Sequence, residues 1–303
     1  MNLQSILDRI SKEIMPLTRQ GKVATYIPAL ARVLPEQFGM AVLTVDGQEF
    51  VAGSYQTPFS IQSISKLITL TLYINQYGLE LGERVGVEPS GNAFNSLVQL
   101  EYEHGKPRNP FINAGALVIT DGLLEIYEQL PEKILASARE WSHNPQIHYN
   151  EEVAASEKEY GYRNAALANF LKSYHNLIHP VETVLETYFR QCSIEMSCMD
   201  LARTFCFLAN QGMDSEGKRI TGDRETKRIN ALMMTCGTYD AVGEFAFRVG
   251  IPAKSGVGGG IVAVIPGQMS LAVWSPGLSP QGNSLAGTRA LELFTTYTRR
   301  SVF

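Results

Sequence analysis

Ser63 and Lys66 lie three residues apart in Phe59-Ser60-Ile61-Gln62-Ser63-Ile64-Ser65-Lys66, the spacing of a nucleophile and its base on one helix face. Pro58 cannot sit inside a helix and Ser60 is a good N-cap, so a helix is expected to start near Ile61. It continues through Leu67-Ile68-Thr69-Leu70-Thr71-Leu72-Tyr73-Ile74, apolar nearly all round, and such a helix belongs inside a protein. Lys66 is the only charge between Pro58 and Glu80. Burial disfavours its ammonium, lowers its pKa and frees the amine to act as a base near neutral pH. A serine beside a neutral lysine is an activated nucleophile. The Ser63 backbone N–H, in the first turn, lacks an intrahelical partner and could hold an oxyanion.

The pattern Ser-x-x-Lys is weak as a string. Ser215-Glu216-Gly217-Lys218 matches it too, in a polar loop where nothing would activate the serine. On the order of one match is expected by chance, so context has to decide. The competing reading makes Ser63 a hydroxyl bonded to nearby backbone and Lys66 a snorkelling side chain.

Composition narrows the function. The 303 residues form one large domain or two modest ones, and 45% hydrophobic with 18% charged residues suits a globular enzyme rather than a disordered chain. A net charge of −4 without a basic run disfavours nucleic acid and anionic membrane as partners. Cys192, Cys198, Cys206 and Cys236 lack metal or redox spacing and are expected to be reduced and mostly buried. Met1 to Lys22 is patterned as an amphipathic helix, not a signal peptide, and no apolar run is long enough to span a bilayer. A cytoplasmic location is expected.

The elements that must position the pair come next. Phe38 to Val45 and Glu49 to Gly53 flank Asp46-Gly47, the strongest short hairpin signal. From about Ile61 to about Lys227 the pattern is helical, without a convincing strand. Helices are expected at Ala116 to Glu128, Pro131 to Ala138, Tyr160 to Leu171, Val181 to Cys192 and Ser197 to Asn210. Gly91-Asn92-Ala93-Phe94-Asn95 and Pro107-Arg108-Asn109-Pro110 read as loops. Phe245 to Val249 is expected to open a second β region. It continues through Ile251 to Ser255, Ile261 to Ile265 and Met269 to Trp274, with a turn at Pro266-Gly267 and a closing helix from Ser284 to Arg300.

The fold class is therefore α/β of the α+β type, a mainly antiparallel sheet flanked by helices. Residues 1–60 and 228–303 would build the sheet domain and 61–227 an all-helical insert, with the site between them.

Lys254-Ser255-Gly256, followed by Val257-Gly258-Gly259-Gly260, ends a predicted strand. Its glycines let another backbone or a ligand approach closely, although the string taken alone favours a β-bulge with a flexible turn. It is no dinucleotide loop, because a strand follows rather than a helix. His175 and His179 have metal-compatible spacing but no third ligand and read as a surface pair. His104, His143 and His148 are assigned to loops, which leaves no His-based triad.

An early buried Ser-x-x-Lys, a helical insert and a late Lys-Ser-Gly strand resemble the serine β-lactamase and penicillin-binding protein superfamily. A closer resemblance, to the bacterial serine-dependent glutaminases, covers nearly the whole chain. It is carried by Gly21-Lys22-Val23-Ala24 with Tyr26-Ile27-Pro28, Phe59 to Lys66, Pro107 to Ala116, Ser156-Glu157, Arg163-Asn164, Gly243-Glu244-Phe245 and Pro252 to Ile261.

This resemblance implies a β-lactamase/transpeptidase-like fold and hydrolysis of L-glutamine to L-glutamate and ammonia, without metal or organic cofactor. It implies Ser63 as nucleophile, Lys66 as base, Tyr239 as proton-transfer partner and Tyr26 against the substrate. The amides of Ser63 and Val257 would form the oxyanion hole, and Gln62, Asn113, Glu157, Asn164 and Tyr188 would hold the amino-acid end. A dimer or tetramer is also implied. Thr25 and Thr238 depart from the usual residues beside the two site tyrosines. Glu157 and Asn164, seven apart, would share a face if one helix carried both. Two other readings compete: a penicillin-recognising acylase or peptidase, and a non-catalytic glutamine sensor.

Overall fold

The computed structural model describes residues 2–78, 81–91 and 93–303; Met1, Glu80 and Asn92, named above, lie outside them. Asp46-Gly47 does turn the chain: Gly47 takes φ +86° and its N–H bonds back to Thr44 O. A side chain would resist that backbone and glycine does not. The turn joins β1 (Gly39–Thr44) to β2 (Glu49–Gly53), with Leu43 opposite Glu49. Short strands β3 (Phe59–Ser60), β4 (His148–Tyr149) and β5 (Ile194–Met196) follow. The last three are β6 (Ala253–Ser255), β7 (Gly260–Ile265) and β8 (Met269–Trp274).

The main sheet is antiparallel in the order β2-β1-β8-β7-β6, so pairing of β1 with β8 ties the two ends of the chain together. Alternate side chains of β1 leave by opposite faces. Met40 and Val42 pack with Ile6, Leu7, Ile10 and Ile14 of the Leu3–Ile14 helix and with Leu291 and Phe294 of the Leu285–Thr298 helix. Ala41 and Leu43 face a second core that continues into the helical region. Because both faces are covered, β1, β7 and β8 are buried along their whole length and read as unbroken apolar runs. The observed class agrees with the expected one.

At the centre of the helical region the Asn113–Leu124 helix is buried at all but one position, packed against the Lys66–Tyr77 and Val181–Cys192 helices. Among the described residues no helix is long and apolar enough to cross a membrane.

Five expectations are corrected. Residues 61–227 do contain strands: β5 pairs with β3 on one side and β4 on the other in a small antiparallel sheet. Two or three residues are too few to show a period. His148 accordingly lies in β4, not in a loop. Phe245 to Val249 is not a strand; Val242–Arg248 is helical, with Phe245 and Val249 buried and Phe247 91% exposed between them. A five-residue apolar run fits either period, and Gly250 at φ +69° ends the helix. Ser60 is no N-cap: it lies in β3 and its Oγ donates to Cys192 O at 2.8 Å. The expected Ser197 to Asn210 helix is two pieces, Cys198–Thr204 and Cys206–Ala209.

Candidate active site

Ser63 sits in a tight 3₁₀ turn, Gln62–Ser65, which feeds the Lys66–Tyr77 helix. The turn starts with Gln62 at φ +49°, a left-handed backbone uncommon outside glycine. Lys66 is 1% exposed. Its Nζ donates to Asn113 Oδ1 at 2.7 Å and to Phe111 O at 3.1 Å. Burial pushes this amine down to about 8, against smaller upward contributions from Cys192 and Glu157.

Tyr239 also has a left-handed backbone, φ +60°, and its hydroxyl donates to Ser255 O at 3.3 Å. Burial pushes the phenol above its ordinary value, while hydrogen bonds with Ser63 and Ser255 pull the other way. Two non-glycine residues held at positive φ beside one serine are the kind of strain a surrounding fold must enforce.

The glycine-rich strand end packs directly on this turn. A Cβ on Gly256 would fall on Ile61 O, and one on Gly258 would fall on Ser60 O. The bulge reading is thus replaced by close backbone approach, which brings Val257 to the cavity beside Ser63. Neither the Ser63 nor the Val257 amide donates to a backbone carbonyl in the turns and loops of the described residues. Such free N–H groups suit an oxyanion.

Glu157 is 3% exposed. The Tyr26 hydroxyl donates to its Oε1 at 2.9 Å, with Gln62 Oε1 at 3.1 Å. Burial raises the carboxyl of Glu157, opposed by those two side chains and by the charge of Lys66. Half of Tyr26 is exposed, yet its hydroxyl points inward, and burial followed by the Glu157 charge pushes it well above the ordinary phenol range. Asn113 is the hub of the other side: its Nδ2 donates to Asn164 Oδ1 at 2.8 Å, and Tyr188 OH donates to its Oδ1 at 3.2 Å. Glu157 and Asn164 do not share a helix. Glu151–Tyr160 ends at Gly161, where a side chain would meet Glu157 O and the Phe189 ring, and Tyr162–Ser173 starts afresh.

A cavity of about 340 Å3 is lined by Tyr26, Gln62, Ser63, Asn113, Glu157, Asn164, Tyr188 and Val257. Lys66 and Tyr239 stand behind its wall, hydrogen-bonded to or contacting residues that line it. Sequence reasoning missed Phe94, Asn95, Tyr160, Arg163 and Cys192, which line it too. Phe94 packs on the Tyr239 ring, 4.7 Å between centroids, a contact that no local pattern announces.

A model of the glutaminase family matches residues 21–303. A glutaminase of Ralstonia nicotianae is 55% identical over 304 residues, covering all of both chains. The chain belongs to the glutaminase family. A glutaminase of Aliarcobacter butzleri is likewise 55% identical over 305 residues, with all of both chains covered. Among solved structures, a Bacillus subtilis glutaminase in covalent complex with 5-oxo-L-norleucine superposes with a TM-score of 0.88 at 32% identity, all of both chains covered. That adduct was formed by reaction of the protein with 6-diazo-5-oxo-L-norleucine.

Among the described residues this glutaminase buries one further lysine, for which the sequence assigned no role. Lys254 is fully buried; its Nζ donates to Ser255 O, the same carbonyl that accepts from Tyr239, and lies 4.7 Å from the Tyr239 ring centroid. Burial and then the charge of Lys66 lower this amine well below its ordinary value. All four cysteines are free and buried. His179 contacts Asp121 at 3.1 Å, and His175 has left the helix at φ +58°, so the two are not stacked on one helix face. Among the described residues no three His, Cys, Asp or Glu side chains are grouped to hold a metal.

Proposed function

We propose that this chain hydrolyses L-glutamine to L-glutamate and ammonia through a γ-glutamyl ester on Ser63. One observation carries the reading: Ser63 lines a small cavity that also holds a buried carboxylate, and the buried amine of Lys66 stands behind its wall. The covalent adduct of the Bacillus relative with a glutamine-like diazoketone supports an enzyme nucleophile at the reacting end of the site.

In the proposed reaction Ser63 Oγ attacks the side-chain amide carbon as its proton passes to neutral Lys66, relayed by Tyr239. The oxyanion rests on the amides of Ser63 and Val257. The C–N bond breaks as the proton reaches the departing nitrogen, and ammonia leaves. Water then attacks the ester carbonyl, and Ser63 recovers its proton as glutamate departs. Glu157, supported by Tyr26 and Gln62, suits the α-ammonium; Asn113, Asn164 and Tyr188 suit the α-carboxylate.

Ammonia release from purified protein tests this. Glutamine should be turned over far faster than asparagine, whose amide is one methylene closer to the α-carbon. No ammonia from glutamine sinks the reading. In this proposal the protein works in the cytoplasm as a dimer or tetramer, between a sheet domain (1–60 and 228–303) and a helical domain (61–227). A monomer by light scattering at assay concentration removes the oligomer, and cell fractionation checks the location.

Two substitutions test the supporting frame. Gly256→Ala forces β6 off the Ile61 carbonyl, and a displacement near 1 Å at the nucleophile should lower kcat by about 100-fold. A wild-type rate would show that β6 shifts without disturbing Ser63. Lys254→Met should also cut kcat by about 100-fold, as expected of a removed electrostatic or proton-transfer group. Its melting midpoint at pH 7 should not fall. The folded amine is lowered by burial, so near neutral pH the unfolded chain binds that proton more tightly and the lysine destabilises the fold. Unchanged kcat would reduce Lys254 to packing.

A further inference from the structure

Arg163 supports an inference that rests on the glutamine reading and extends it to substrate selection. Glu157 and Arg163 are the charged side chains lining the cavity. Glu157 is buried and engaged by Tyr26. The Arg163 side chain is exposed and makes no hydrogen bond, ion pair or ring contact with the described residues. Its position follows from the break at Gly161: the Tyr162–Ser173 helix restarts there, and its first turn presents Arg163 and Asn164 to the cavity. That turn is also the positive end of the helix dipole.

A zwitterion whose α-ammonium meets Glu157 still carries a carboxylate, and the cavity supplies Asn113, Asn164 and Tyr188 as neutral groups for it. A free guanidinium adds charge-assisted, bidentate recognition of that group. We propose that Arg163 is a specificity-determining residue that captures the α-carboxylate of the incoming amino acid. The cavity thereby selects zwitterions over amides that carry an amine alone.

Calorimetric binding to the Ser63→Ala protein tests this without turnover. The ligands are L-glutamine and 4-aminobutanamide, which keeps the amine and the amide but lacks the α-carboxylate. Adding Arg163→Met should weaken glutamine about 10-fold and leave 4-aminobutanamide within about 2-fold. Raising salt from about 0.05 to about 0.5 M should weaken glutamine binding in the arginine-containing protein and not in the methionine variant. Arg163→Lys should fall between the two, which guards against a misfolded variant. Unchanged glutamine affinity, or equal losses for both ligands, overturns the assignment. If Ser63→Ala binds glutamine no tighter than 4-aminobutanamide, α-carboxylate capture fails. If it binds neither, the glutamine reading fails first and Arg163 falls with it.

Discussion

Ser63→Ala should lose at least about 10⁴-fold in turnover of L-glutamine, because members of a nucleophile-base unit fail together when the nucleophile is removed. The hydroxyl is buried at the cavity wall beside the phenol of Tyr239, and its removal opens at most a small void. The melting midpoint should therefore stay within a few degrees of wild type. The same variant should resist 6-diazo-5-oxo-L-norleucine, which reacted covalently with the Bacillus relative. Mass spectrometry reads this directly: an adduct on wild type and none on the alanine protein. Wild-type ammonia release from Ser63→Ala would dismiss the serine.

Lys66 should set the acid limb of the pH profile. Its amine is held down at about 8 by burial, so protonation removes the base as pH falls through that value. The expected kcat/KM rises with pH up to about 8 and then levels, since Tyr26, Tyr188 and Tyr239 are all pushed upward by burial. Lys66→Met should lose at least about 10³-fold and the limb with it; Lys66→Arg should be nearly as poor, because a guanidinium does not give up its proton. An acid limb near 8 that persists in the residual activity of Lys66→Met would mean another group titrates.

Stability moves in the same direction with pH, but over a higher window. The unfolded amine titrates near 10.5 and the folded one near 8, so stability is undiminished above the first value, declines as pH falls between them and is level below the second. The penalty at pH 7 is on the order of 3 kcal/mol. Methionine escapes it, and Lys66→Met should melt no lower than wild type at that pH.

Much of the site was legible because its signals are local. One charge in an apolar helix marked Lys66, whereas the glycines after a strand favoured a bulge and only the structure shows the close backbone approach. Asp46-Gly47 marked a turn whose chemistry is complete within four residues. What failed was short or shared. β3, β4 and β5 exist only as partners of one another, each too brief to carry a period. Phe245 to Val249 fits either period, and only burial of Phe245 and Val249 around an exposed Phe247 shows a helix. The neighbours Lys158 and Glu159 give Glu157 no local sign of burial; Tyr26, 131 residues away, is what encloses it.

The residue string by itself determined the α/β class, the helix that hides a lysine and the serine one turn before it, since each depends on side chains within a few positions. Tertiary structure alone decided that Lys66 bonds Asn113, that Lys254 and Tyr239 share one carbonyl, and that Arg163 reaches the cavity. The reason is reach: a period or a turn is written in neighbours, whereas a desolvated amine or an aimed guanidinium is defined by whatever distant segments fold against it.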